Sequence, residues 1–257
     1  MNLLRSVVMA FSMFSRLPMP QIEWKESNMR DMLALLPLVG CAEAAVLFVW
    51  IRLAAWLSLG PALFAAGMTL LPVLFTGGVH LDGFCDTVDA LSSHGDMEKK
   101  RRILKDPHTG AFAVIFLCAY LLCAFALYTE ADRAEPLPLC LLPILSRAVT
   151  GFAGVCFPVY GEAGLLATFR GSASKTAAAV LLGWFLACGV CAILLNGVFG
   201  LALPASAALC GAYVYRMSRK QFGGMSGDLA GYLLQISELC MLAAVILIQK
   251  AGLIWFL

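Results

Sequence analysis

Residues 75–90 read Phe75-Thr-Gly-Gly-Val-His-Leu-Asp-Gly-Phe-Cys-Asp-Thr-Val-Asp-Ala90 and continue directly from an apolar run over 61–79. A helix needs roughly 20 mostly apolar residues to cross a bilayer core about 30 Å thick, and that run is close to this length. Asp82, Asp86 and Asp89 then follow at i, i+4 and i+7. At 100° per residue they fall within about a 60° arc of one helix face. The stretch predicts a membrane-crossing helix that opens into an acidic surface at the lipid boundary.

The rest of the chain agrees with that reading. Of its 257 residues 61% are hydrophobic and 13% charged, and the mean hydropathy is +0.86. A soluble domain carries about 45–50% apolar and about 25% charged residues, so a water-soluble fold of this composition could not cover its surface with polar groups. Apolar runs over 33–51, 61–79, 111–128, 136–157, 177–195, 198–215 and 229–249 predict an all-α polytopic membrane protein with about seven transmembrane helices. Breaks such as Ser58-Leu59-Gly60 and Asn196-Gly197 read as tight turns between antiparallel helices. No linker divides the chain, so residues 1–257 are expected to form one integral membrane domain.

Lysine and arginine set the expected orientation. The stretch to Arg30 holds four, 80–110 five, 158–176 two and 216–228 three, whereas the alternate loops hold only Arg52, Arg133 and Lys250. Glu130, Asp132 and Glu135 crowd one of those alternate loops. The basic loops and the N-terminus are therefore expected in the cytoplasm, with the chain in the cell (inner) membrane. Leu4, Val7, Val8, Phe11 and Phe14 recur at helical spacing, which predicts an interfacial amphipathic helix over about 3–16 instead of a cleaved signal. The formal charge of +2 gives no reason to expect nucleic acid. The ten cysteines lie mostly in apolar runs, and neither disulfides nor a cysteine-bound metal is expected.

The aspartates carry the chemistry. Carboxylates this close repel one another unless a cation lies among them, and oxygen ligands without thiolate suit Mg²⁺ or Mn²⁺. A solvated acidic helix face is the ordinary alternative. Here Leu81, Phe84, Val88 and Leu91 alternate with the aspartates, which places them at the mouth of the bundle. A second segment echoes the first: Gly77-Gly78 precedes Asp82, and Gly223-Gly224 precedes Asp228 with the same gap. Paired glycines let backbone N–H groups approach an oxyanion, and a carboxylate just beyond can hold a metal that bridges phosphates. Arg102, Lys105 and Asp106 lie close to the next span, within reach of a substrate phosphate. Lys99 and Lys100 read as orientation signals. Arg147 sits well inside its span, where insertion costs at least about 2.5–3.5 kcal/mol, so it is expected to face a phosphate or a carboxylate such as Glu43 or Glu238. His80 and His108 are positioned as proton carriers.

Four segments together resemble the adenosylcobinamide-GDP ribazoletransferase (cobalamin synthase) family: Phe14-Ser-Arg-Leu-Pro-Met-Pro20, Gly77 to Leu91, Leu104-Lys-Asp-Pro-His-Thr-Gly-Ala-Phe112 and Phe222-Gly-Gly-Met-Ser-Gly-Asp228. Ser15 and Ser226 stand where the family's pattern has threonine. The resemblance implies an enzyme that joins adenosylcobinamide-GDP to α-ribazole, or to its 5′-phosphate, and releases GMP, with Mg²⁺ as cofactor. It leaves a homo-oligomer and contacts with other B12-assembly enzymes at the membrane open.

Breaking a diphosphate by attack of a ribose hydroxyl needs neutralised charge on the bridging and departing oxygens, which carboxylate-held divalent ions supply. The expected metal ligands are Asp82, Asp86 and Asp228, with Asp89 a further ligand or the catalytic base. Arg102, Lys105 and Arg147 are expected to steady phosphates. Phospholipid-making phosphotransferases of the CDP-alcohol type and membrane prenyltransferases use the same aspartate–Mg²⁺–diphosphate chemistry. The first lack support because Asp82-Gly83 continues as Phe-Cys-Asp, and the second because Leu81 precedes Asp82 where an Asn-Asp or similar opening is usual. A transporter would place its polar site at the midplane between inverted repeats, and no such repeat is visible.

Overall fold

The computed structural model describes residues 2–25, 29, 31–131, 136–160 and 164–255. Arg30, Asp132, Arg133 and Glu135 lie outside them. Among the described residues the chain is helical, apart from one parallel bridge between Val159 and Met225. Five helical runs are long and apolar enough to cross a membrane, or six if one bent pair counts as a single crossing. This is the build of a multi-pass membrane protein; seven separate crossings are not established by it.

The first helix, α1 (Asn2–Phe14), buries Met9 and Ala10 and leaves Leu3 and Leu4 outward. It is followed by α2 (Leu36–Trp56) and α3 (Pro61–Thr76). At the end of α3 the chain turns through Gly77 and Gly78, both in the left-handed region (φ 68° and 81°), and α4 (Val79–Ser92) leaves at 96°. Two successive left-handed residues are what only glycine adopts cheaply, so the Gly-Gly pair makes this bend. With 14 residues, α4 is about 21 Å long and too short to cross alone. It lies across one end of the bundle and carries the aspartates there.

The short helix α5 (Met97–Ile103) is capped by Asp96, whose side chain accepts from Lys99 N–H. Beyond it run α6 (Ala111–Thr129) and α7 (Leu137–Cys156). Helix α7 is the hub, with 78% of its most apolar window buried. Small residues allow this: a Cβ on Gly40 of α2 would come within 2.5 Å of the Pro143 carbonyl of α7. Helices meet that closely in membranes where a side chain is absent. After α8 (Leu165–Gly171), the run Ala177–Phe222 contains 46 residues, about twice what one crossing needs. It doubles back at a 3₁₀ turn over Gly197–Leu201, so that α9 (Ala177–Asn196) and α10 (Ala202–Phe222) form a hairpin. Gly189 accordingly faces Pro204, and Gly200 faces Ala192. The last helix, α11 (Gly227–Trp255), starts beside α4. Outward residues such as Ile115, Leu122, Leu186 and Leu209 are exposed and apolar, as a lipid-facing surface requires.

Candidate active site

Asp82 and Asp228 are 146 positions apart in sequence and meet in the fold. The reason is a glycine contact between α4 and α11: Gly83 approaches the backbone of Asp228 so closely that a Cβ would lie 2.8 Å from its carbonyl oxygen. Gly231, one turn further along α11, rests on the His80 carbonyl in the same way. A side chain at either glycine would force the helices apart and separate the carboxylates. Ser226 orders the start of α11, since its hydroxyl accepts from Leu229 N–H and donates to Asp228 Oδ2. The hydroxyl common to serine and threonine at this position therefore has a positioning task.

Asp86 sits half-buried among these groups. Burial, followed by the charges of Asp82, Asp228 and Asp89, pushes its carboxyl up to about 6. Mutual repulsion of this kind marks a site that lacks positive charge of its own. No three His, Cys, Asp or Glu side chains among the described residues converge tightly enough to enclose an ion. The four expected carboxylates are therefore not a preformed cage. That donor set still fits Mg²⁺, which keeps several waters and is commonly bound through one or two carboxylates together with substrate phosphates. Asp82, Asp86 and Asp228 are the residues that could hold it.

Asp89 has a packing contact as well. Its carboxylate lies against Gly110, where a Cβ would fall 2.1 Å from Oδ1. Gly110 caps the start of α6, so Asp89 seats α4 on the beginning of that helix, at the end of the acidic row. Gly110 was not singled out in the sequence, and the motif Leu104–Phe112 gains a physical reason from this contact.

A groove of 350 Å³ opens beside Asp228 and is lined by Arg101, Lys105, Tyr160, Met225 and Ser226. Arg101, not Arg102, supplies its guanidinium. It donates to the Phe222 carbonyl at 2.7 Å and lies 3.7 Å from the Tyr160 ring centroid, while Arg102 is exposed. Arg101 and Lys105 are four apart and so share a side of the chain, a signal that was present in the spacing. Tyr160 is held there by the Val159–Met225 bridge, in which Met225 N–H donates to the Pro158 carbonyl at 2.7 Å. No sequence feature pointed to it.

The remaining expectations sort by what each residue touches. Gly77 is covered by Arg16 and Gly223 by Arg101, while Gly224 accommodates Val159 and Tyr160. These three glycines meet protein and do not form an open cradle; Gly78 alone has space around it. Asp106 accepts from His108 N–H at 3.0 Å and lies 2.7 Å from its Nδ1 in an exposed loop, and it does not line the groove. Arg147 takes the carboxylate alternative and not the phosphate one. It is 1% exposed, bound to Glu43 at 2.7 Å and to Glu238 at 3.1 Å. Ser146 donates to the same Glu238 oxygen. His80 is buried and stacked on Phe14, which removes it from the role of a freely exchanging proton carrier.

The fold and site together define a helical membrane protein whose groove carries Arg101, Lys105 and Asp228 beside further carboxylates, an arrangement suited to handling phosphates. The chain belongs to the cobalamin-5-phosphate synthase family, whose model matches residues 6–246. An adenosylcobinamide-GDP ribazoletransferase of Lachnoclostridium phytofermentans is 36% identical over 250 residues, covering 97% of this chain and 96% of its own. A protein of the same name from Clostridium botulinum is 33% identical over 242 residues (93% and 95%). One from Geobacillus thermodenitrificans is 29% identical over 256 residues (95% and 96%). No solved structure matches. Membership of this family sets aside the phospholipid-phosphotransferase, prenyltransferase and transporter readings.

Proposed function

We propose that the groove beside Asp82 and Asp228 is where this transferase of cobalamin synthesis joins adenosylcobinamide-GDP to α-ribazole, or to its 5′-phosphate. A ribose hydroxyl oxygen attacks the phosphorus that stays with the cobinamide. The phosphoanhydride bond breaks and GMP departs with the bridging oxygen. The hydroxyl proton passes to a carboxylate of the cluster. Mg²⁺ held by Asp82, Asp86 and Asp228 would neutralise the diphosphate and the leaving phosphate. Arg101 and Lys105 hold the nucleotide's phosphates from the opposite rim, and Tyr160 orients Arg101 through its ring face.

One observation carries this reading: two aspartates from distant glycine-preceded stretches are brought to one edge by Gly83 and Gly231. The lysine and arginine asymmetry further supports a cytoplasmic groove and N-terminus in the cell membrane. Purified full-length protein with both substrates and Mg²⁺ should release GMP. Asp82→Ala should abolish that release while leaving membrane insertion intact, and an active Asp82→Ala protein would remove the metal assignment.

A further inference from the structure

A second cavity adjoins the groove along Leu165, Leu166, Gly227 and Asp228. It has a volume of 170 Å³ and is walled by Phe14, Leu33, Leu166 and Phe169, among other apolar groups. Asp82 and Asp228 lie at its border, so the cavity and the charged groove share Asp228. Two polar side chains also line it, His80 from α4 and Thr150 from the central helix α7. They are 6% and 5% exposed, and neither His80 Nε2 nor Thr150 Oγ1 meets a hydrogen-bond partner. Buried polar atoms are almost always paired in a folded protein, and an unpaired one is destabilising. Two such atoms on one apolar cavity therefore point to a ligand that is mostly apolar and has a few polar atoms of its own. The cavity also contains a stacking surface, because the His80 and Phe14 rings lie 5.9 Å apart and 13° from parallel.

We propose that this cavity receives the heterocyclic base of the acceptor, the ribazole of the reaction above, and the inference rests on that reading. The base is a flat bicyclic ring with apolar edges and, once bonded to ribose, one free ring nitrogen. The ring lies among Phe14, Leu166 and Phe169, and the nitrogen accepts from the Thr150 hydroxyl. His80 lines the same cavity as Asp82 and Asp228, so its Nε2 meets the ribose, whose attacking hydroxyl then sits beside these two aspartates. Guanine, the base of the departing nucleotide, fits poorly here: it has donors and acceptors along several edges, and leucine and phenylalanine would leave most of them unpaired. The corrin ring is far larger than the space. Donor phosphates and acceptor base therefore occupy adjoining spaces that meet at Asp228.

The test uses the full-length protein in detergent or nanodiscs. Steady-state rates of GMP release are measured while each substrate is varied, alongside equilibrium binding of α-ribazole alone. Thr150→Val keeps the shape and removes the hydroxyl; it should raise the KM for α-ribazole about three- to tenfold, with the KM for adenosylcobinamide-GDP within about twofold of the parent. Leu166→Trp fills the cavity and should abolish α-ribazole binding, and guanosine should not compete in the unmodified protein. Unchanged α-ribazole binding in both variants overturns the assignment and leaves the cavity to a lipid chain. Equal effects of Thr150→Val on both KM values, or effective competition by guanosine, overturn it as well. If the unmodified protein binds α-ribazole and Leu166→Trp does not, yet no GMP is released, the base pocket stands and the reaction assigned above fails.

Discussion

Two acidic clusters lie in this bundle, and the protein answers their charge differently. Inside the helices, Glu43 and Glu238 flank Arg147, Ser146 adds a hydroxyl bond, and Arg147 and Glu43 are buried while Glu238 keeps a small exposure. At the bundle's end, Asp82, Asp86 and Asp228 stand together with Asp86 raised by its neighbours, and the cations Arg101 and Lys105 lie across the groove instead of bonding to them. The first cluster supplies its own counter-charge and so serves the structure. The second keeps its negative charge available, as a site for an exogenous cation requires. Paired and unpaired carboxylates are therefore better guides to function here than carboxylates counted together.

Removing the internal counter-charge should have the largest effect. Arg147→Met strands two carboxyl groups among helices and should destabilise the protein by about 3–5 kcal/mol, read as a lower unfolding temperature in detergent. Adding Glu43→Gln and Glu238→Gln should return much of that loss; no recovery would mean that Arg147 acts through packing alone. The end cluster should show the converse pattern. Asp228→Asn should reduce GMP release by roughly 10²–10³-fold, the range typical of losing one electrostatic contact in a reacting site, with the unfolding temperature nearly unchanged.

A smaller effect follows from Asp86. Its carboxyl is protonated below about pH 6, so Mg²⁺ affinity should weaken as pH falls through that value and level off above it. The same raised value means that, without metal, the fold loses stability as pH rises through about 6, a loss that Mg²⁺ should offset. Titration calorimetry between about pH 5 and 7 checks the sign, and Asp86→Asn should flatten the profile. The mildest change is Lys105→Ala, which should raise the KM for adenosylcobinamide-GDP about tenfold and reduce its sensitivity to salt. A similar shift in Arg102→Ala would undo the assignment of Arg101 as the groove's guanidinium.

Composition, and spacing within a single helix, were legible from the residues alone. Apolar runs of crossing length predict a multi-pass helical protein, because a helix satisfies all its backbone hydrogen bonds within one continuous segment in lipid. The i, i+4, i+7 spacing places Asp82, Asp86 and Asp89 on one face, and the repeated Gly-Gly pattern singled out Asp228. Which faces meet came from the packing of the folded chain. Gly83 and Gly231 join α4 to α11, Gly110 draws Asp89 to the start of α6, and Arg101 instead of Arg102 turns to the groove. Arg147 turned inward because its carboxylate partners come from helices about a hundred positions before and ninety after it. The cavity holding His80 and Thr150 has walls from α1, α4, α7, α8 and α11. Periodicity orients a side chain about its own helix axis, but the surface opposite it is set by the packing of helices distant in sequence.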